Sequence, residues 1–149
     1  RSGPEGGRWR EKNNKLAPMP DLPAEYANLH RFRFADGPEL GEMLLNLVLQ
    51  GKKTGTCWPL RDADTEPMVS VGERAVYTDW NDIPRCVVEY TRVEITRYDQ
   101  VGEAFALSEG ENDSLDGWRA DHRAYFERNG GWSPDMELVC ENFRVVEVL

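Results

Sequence analysis

Cysteine is sparse in this chain of 149 residues: Cys57, Cys86 and Cys140 are an odd number at wide spacing, in a length that can bury a sizeable core without staples. No disulfide framework is implied. Histidine is sparser still, and neither His30 nor His122 lies in a CxxC, HExxH or HxE pattern, so neither a metal nor any other cofactor is expected. Long apolar runs are missing too. The longest, Met43 to Leu49, is broken by Asn46 and falls far short of the roughly 20 residues that cross a bilayer. No membrane partner is expected, and the cytoplasm is the default location. The first eight residues lack an initiator Met and an apolar signal core, and read as a mobile tail or an expression remnant.

Positive charge is the remaining shortage. Against 27 Asp and Glu stand 18 Lys and Arg, a net charge of −9. Coating duplex nucleic acid takes many contacts from Lys and Arg to phosphates, so strong duplex DNA binding is not expected. A modified nucleoside or a short single strand is compatible with the balance. The deficit is also uneven: residues 1–61 hold 10 basic and 7 acidic residues (+3), whereas residues 62–149 hold 8 and 20 (−12). Anion-friendly surface should therefore come from the first half. What the chain does have is 40% hydrophobic residues, enough for a packed globular domain.

Residues 1–23 carry four prolines and no apolar periodicity, which reads as a loosely held arm; residues 24–149 read as one domain. Within the domain, Arg31 to Ala35 alternates polar and aromatic residues in the manner of a short strand. Pro38 suits a first helical turn and Glu39 the positive end of a helix dipole. Leu40, Met43, Leu44, Leu47 and Val48 then recur at helical spacing, and Gly51 can take the left-handed conformation that ends a helix. Strands are expected over Met68–Val71, Arg74–Thr78, Arg85–Thr96 and Phe143–Val148, with Asp79 to Pro84 as a hairpin connection. In the long third strand Cys86, Val88 and Tyr90 share one face and Val93 and Ile95 the other, which calls for a bulge near Arg92. A second helix is expected from Ser114 to Arg128, with Asp113 or Ser114 as cap and Asn129-Gly130-Gly131 as the stop. The sum is an α+β domain, a small and mainly antiparallel sheet decorated by two helices, with bends suited to curling into a barrel.

Directly after the first helix come Gly51, Lys52, Lys53, Thr54, Gly55 and Thr56, an unusual concentration of polar chemistry beside an apolar helix. In this segment the chain resembles the ASCH family, a branch of the PUA-like superfamily. The resemblance extends to Phe32 through Leu40 leading into the helix, the Val71-Gly72-Glu73 turn, Phe105 through Glu111, Trp118 with His122, and the closing Leu138 through Phe143, together spanning about residues 30–146. It implies a small PUA-like β-barrel with a cleft and flanking helices, in a family associated with RNA. Members are similar to amidohydrolases that remove the acetyl group of 4-acetylcytidine, and others have been described as ribonucleases. The family's catalytic Lys, Thr and Glu fall on Lys53, Thr56 and Glu109, with Glu111 as the alternative carboxylate.

Amide hydrolysis needs a nucleophile or an oriented water, a base, and a group that manages the amine leaving group. On a regular strand, positions 53 and 56 point to opposite faces, so their meeting requires a turn or bulge, which Gly55 tolerates. Thr56 as nucleophile and Thr56 as a water-orienting group are both open from the residues alone. In a ribonuclease, Lys53 would stabilise phosphorane charge while a carboxylate takes the 2′-hydroxyl proton, without the help of a His pair. In a non-catalytic reader, Trp58, Tyr77, Trp80 and Trp132 would supply stacking platforms.

Lys52, Thr54, Trp58, Arg33 and Arg61 complete the expected substrate contacts. Lys53 is expected on the wall of a cleft. Ordinary roles compete with these: Lys52 as a solvated charge, Glu109 as part of an acidic loop, Trp118 and His122 as helix packing, and the three cysteines as small buried hydrophobes.

Overall fold

The computed structural model describes residues 8–10 and 22–149. Its strands are β1 (Arg8–Arg10), β2 (Arg31–Phe34), β3 (Gly55–Pro59), β4 (Arg74–Thr78), β5 (Pro84–Arg97) and β6 (Glu137–Val148). Its helices are α1 (Pro38–Leu49), α2 (Glu103–Ser108) and α3 (Leu115–Arg128). The strands form one sheet in the order β1-β2-β4-β5-β6-β3, antiparallel at every junction except β2 with β4.

This α+β arrangement matches the expectation in class, with one correction. The sheet does not close into a barrel: β1 and β3 are its two ends, and no ladder joins them among the described residues. The curvature that was to close it is nonetheless present. Register shifts between Tyr90 and Arg92, and again between Val87 and Val88, bend the long β5/β6 ribbon, as the alternation of β5 anticipates. The end at β3 is instead covered by α2, which bonds to the chain just before the strand.

Three further differences have local causes. Arg8–Arg10, inside the segment read as an arm, forms β1 and pairs with β2; residues 1–7 and 11–21 lie outside the described residues. Met68–Val71 is not a strand, because the chain reverses there: Gly72 takes φ +90°, Glu73 N–H returns to the Ser70 carbonyl, and only Val69 is buried. Helix α2 has six residues, too few for its periodicity to stand out in the sequence. The other helices lie where their caps predict. Pro38 opens α1 and Gly51 follows it at φ +78°; Ser114 caps α3 by accepting the Gly117 N–H at 3.0 Å.

The sheet carries apolar clusters on both faces. On the inner face α1 lays Leu44, Leu45 and Val48 over Phe32, Phe34, Tyr77, Tyr90 and Phe143. The aromatic rings meet edge to face, Phe34 with Tyr77 at 4.8 Å and Tyr77 with Phe143 at 5.3 Å. On the outer face α2 and α3 bring Ala106, Trp118, Tyr125 and Phe126 against Cys57, Leu138 and Cys140. The cysteines are free and buried, as their spacing suggests. Because Leu44 is wholly enclosed, Leu44→Ala should cost about 2–5 kcal/mol, read as a lower urea midpoint with an unchanged slope.

Candidate functional site

The site begins where α1 ends. Past Gly51 the amides of Lys52 and Lys53 both donate to the Leu47 carbonyl, at 2.9 and 3.0 Å, which turns the chain back. Lys52 stays in solvent, while Lys53 is buried beneath the turn rather than set on a cleft wall. Thr54 N–H then donates to the Ser108 carbonyl at 2.7 Å, tying this loop to the end of α2. Gly55 follows because nothing larger fits: a Cβ there would collide with Ser108 Oγ and stand 2.8 Å from Asn142 Nδ2. Its requirement is space rather than a positive φ, so the turn that the sequence places at Gly55 lies earlier, around Gly51.

The other half comes from the end of α2. Glu109 is the last residue of that helical turn, and Gly110 leaves it at φ +81°. A Cβ on Gly110 would lie 2.7 Å from the Lys52 carbonyl oxygen, so the two loops approach backbone to backbone. That approach brings Lys53 Nζ to 3.2 Å from Glu109 Oε1, with 0% and 1% of the two side chains exposed. Trp118 Nε1 donates to Glu109 Oε2 at 2.9 Å, and His122 Nε2 stands 3.4 Å from the same oxygen. Trp118 and His122 are stacked at 4.2 Å, so they are the packing pair the sequence suggests and also hold the carboxylate. That second role is missed by a reading of spacing alone. The i, i+4 repeat that marks packing is the same repeat that aims both rings at one point.

Burial alone would raise the Glu109 carboxyl, but Lys53, His122 and the hydrogen bonds from α3 outweigh it and hold it below the ordinary range. Burial would lower His122, yet Glu109 outweighs that and raises it. Glu111 has the reverse balance: burial pushes it up while Lys53 opposes, and its Oε2 is buried without a hydrogen-bond partner. The Cys57 thiol is pushed well up by burial and by Glu109. Sγ of Cys57, a Glu109 oxygen and a His122 nitrogen lie within 4.8 Å of one another, a donor set that suits a thiophilic divalent ion. Such an ion would have to displace Lys53 or Trp118, which already hold the two carboxylate oxygens.

Thr56 is buried, and its Oγ1 has no partner, so it is bonded to neither Lys53 nor Glu109. Thr56 pairs with Glu141 on β6, whose next same-face neighbour is Phe143; Phe143 packs on Tyr77, Tyr77 on Phe34, and Lys53 Nζ lies 5.5 Å over the Phe34 ring. Glu109, the partner of Lys53, lies beside Cys57, the next residue of β3, whose side chain faces away from that of Thr56.

The remaining expected contacts are not gathered there. Trp58 is wholly buried with its indole N–H on Glu141 at 3.1 Å, and Tyr77 is bonded to Tyr90; these are core residues, not open stacking platforms. Arg33 donates to the Trp80 carbonyl and to Asp82, both at 3.2 Å, and lies over the Trp80 ring. Arg61 is exposed and donates to the Asn129 carbonyl at 3.3 Å, beyond the end of α3. Thr54 is exposed, its hydroxyl 3.5 Å from the Ser108 carbonyl. A cavity of about 240 Å³ lies across Phe105 and Asn142 from this loop, with Cys140 in its wall.

The family model described as the ASCH domain matches residues 30–147. Among solved structures, an ASCH domain from Lactobacillus crispatus JV V101 is 33% identical, with a TM-score of 0.72 over 84% of this chain and 86% of that one. A protein from Enterococcus faecalis V583 is also 33% identical, with a TM-score of 0.71 over 78% of this chain and 75% of that one. No curated protein matches the chain.

Replacing Glu109 by Gln leaves Lys53 and His122 buried against a neutral amide, and should cost about 3–5 kcal/mol near neutrality. The ionised carboxylate contributes stability above its unfolded-state value of 4.5, and that contribution is lost as pH falls through its lower folded value. His122 contributes below 6.5 and loses its share as pH rises through its raised folded value. Urea unfolding across pH should thus show the gap between wild type and Glu109→Gln widest between these two limits and narrowing toward acid.

Proposed function

The chain belongs to the ASCH domain family, and on that premise we propose that it is an RNA-related hydrolase, an amidohydrolase that removes the acyl group of a modified cytidine such as 4-acetylcytidine. The observation that carries this reading is the Lys53–Glu109 pair, a lysine and a carboxylate in contact where solvent does not reach. A lysine so placed has no use as a solubilising charge. Burying it is costly, and that cost is characteristic of sites where an amine takes part in proton transfer.

The reaction breaks the bond between the acyl carbon and cytosine N4, with water supplying OH to the acyl group and H to the amine. Lys53 first passes a proton to Oε1 of Glu109, which it contacts; the free amine then accepts the proton of the attacking hydroxyl and hands it to the departing nitrogen, and Glu109 returns its proton to the amine. Thr56 supplies that hydroxyl or holds the water that does. Its partnerless Oγ1 supports this assignment, since an unsatisfied buried hydroxyl costs about 1–3 kcal/mol unless a ligand or water engages it. A burst of released cytidine, equal to the enzyme present, distinguishes direct attack from water orientation.

The same contacts speak against the other two readings. Both Glu109 oxygens are engaged, which leaves the carboxylate poorly placed to take a 2′-hydroxyl proton. Trp58 and Tyr77 are inside the core, which removes two of the four stacking platforms a reader would use.

The test is incubation with 4-acetylcytidine and, separately, with unmodified single-stranded RNA. Release of acetate and cytidine is expected. Shortened RNA with intact 4-acetylcytidine would establish a ribonuclease instead, and tryptophan quenching without turnover would establish a binding module. Lys53→Ala should lower turnover by about 10²–10⁴-fold and, because the residue is buried and paired, should also lower stability. Thr56→Val separates the two effects: turnover should fall as far while thermal stability stays level or rises, since the lost hydroxyl has no partner.

A further inference from the structure

We propose that Cys57 and Cys140 form an oxidation site, a cross-strand dithiol beside Glu109 that hydrogen peroxide converts to a disulfide. The inference does not rest on the hydrolase reading.

The two cysteines stand directly opposite each other on β3 and β6. The hydrogen bonding of that ladder fixes how closely they approach. One step further along the register, Thr54 faces Phe143, and Phe143 N–H donates to the Thr54 carbonyl at 3.0 Å, which marks a bonded position. Bonded and non-bonded positions alternate along an antiparallel pair. Gly55 with Asn142 and Cys57 with Cys140 are therefore non-bonded, the positions where opposed side chains come nearest. Cα atoms at such a position are about 4.5 Å apart, inside the range of roughly 4.4–6.8 Å that a disulfide spans. Both side chains belong to the apolar cluster under α2 and α3, so they leave the sheet on the same face. Cys86 has no such neighbour: it faces Tyr77 on β4 and Val148 on β6, and it belongs to the cluster under α1.

In the reduced protein each thiol has its own partner, Glu109 for Cys57 and Thr96 for Cys140. A turn about each Cα–Cβ bond brings the sulfurs together and takes Cys57 off the carboxylate. Access sets the order of events. Cys140 is 6% exposed and lies in the wall of the 240 Å³ cavity with Thr96, Phe105 and Asn142, whereas Cys57 is sealed.

The oxidant is hydrogen peroxide, small enough for that cavity. Cys140 Sγ attacks one peroxide oxygen, the O–O bond breaks, and the other oxygen leaves as water with the thiol proton, giving a sulfenic acid. Cys57 Sγ then attacks Cys140 Sγ, the S–O bond breaks, and the hydroxyl leaves as a second water with the Cys57 proton. Each sulfur gives up one electron and the peroxide gains two. Burial holds both thiols protonated, so the reaction is slower than at an activated cysteine and answers sustained exposure.

The test uses the full chain in its native state. The protein is held in excess hydrogen peroxide for several hours, the peroxide is destroyed with catalase, and the chain is then unfolded in iodoacetamide, digested and weighed. The peptides carrying Cys57 and Cys140 should be joined and two hydrogens lighter than their sum, with Cys86 alkylated; dithiothreitol should return three alkylated cysteines. The indole N–H resonance of Trp118, which donates to Glu109, should move on oxidation and return on reduction. Cys86→Ala should form the link at an unchanged rate, and Cys57→Ala should leave Cys140 as a sulfenic acid that dimedone traps. Cys57 and Cys140 both alkylated after the exposure, a link through Cys86 or between two chains, or Cys140 oxidised past the sulfenic acid while Cys57 stays free would overturn the proposal. A Trp118 resonance unmoved in the linked protein would overturn the coupling to Glu109.

Discussion

One carboxylate governs this structure. Glu109 is buried and ionised, a state that is ruinously costly in an apolar interior unless charge and hydrogen bonds meet it from several sides. They come from three separate places: Lys53 before β3, and Trp118 and His122 one turn apart on α3. None of these contacts is optional for the others. If α3 moved, Oε2 would lose both of its neighbours; if the loop after α1 opened, Lys53 would leave Glu109 without its ion-pair partner. The site is therefore a joint between elements as well as a place for chemistry.

The same joint solves a problem of the sheet. Among the described residues β3 ends the strand order and forms a ladder with β6 alone, so its other side is an edge without a ladder. Such an edge invites pairing with another chain unless something covers it. Here α2 covers its start: Thr54 N–H donates to the Ser108 carbonyl, and Asn142 reaches both the Thr54 carbonyl and Ser108 Oγ. Ser108 precedes Glu109, so the bonds that cap the edge also set the carboxylate's height beside Lys53. At Gly110 the two backbones come too close for a side chain, and at Gly55 the side chains of Ser108 and Asn142 fill the space one would need.

How much of this was legible in the sequence follows the range of each interaction. Helices α1 and α3 are announced by local periodicity and by caps, Pro38 and Gly51 in one and Ser114 in the other, and the bend at Arg92 by a change of alternation. Helix α2 is too short to show a period, and whether β1 and β3 join in a ladder is a long-range outcome that no local pattern encodes. At the site, Lys53, Thr56 and Glu109 were reached through resemblance, since Lys53 and Glu109 stand 56 residues apart and meet only through two turns. Arg33, Arg61 and Trp58 have the chemical type of substrate contacts, but type does not reveal that Asp82, the Asn129 carbonyl and Glu141 already claim them. His122 went the other way: its helical spacing announced packing, and packing concealed its contact with Glu109.

Charge placement then limits what the site can receive. A net charge of −9 leaves few cations to spare, and many of the arginines are already in ion pairs: Arg74 and Arg144 with Glu89, Arg92 with Glu94, Arg97 with Asp99, Arg123 with Glu127 and Arg128 with Asp36. A polymer gripped by its phosphates needs a continuous row of uncommitted positive groups. The cation that matters most is instead inside, beneath Gly51 and beside Glu109, where a phosphate backbone cannot follow without unfolding the loop. A ligand for such a site is better recognised by its base and acyl group than by its phosphates. That favours a nucleoside, or one base turned out from a strand, over a long RNA laid across the surface.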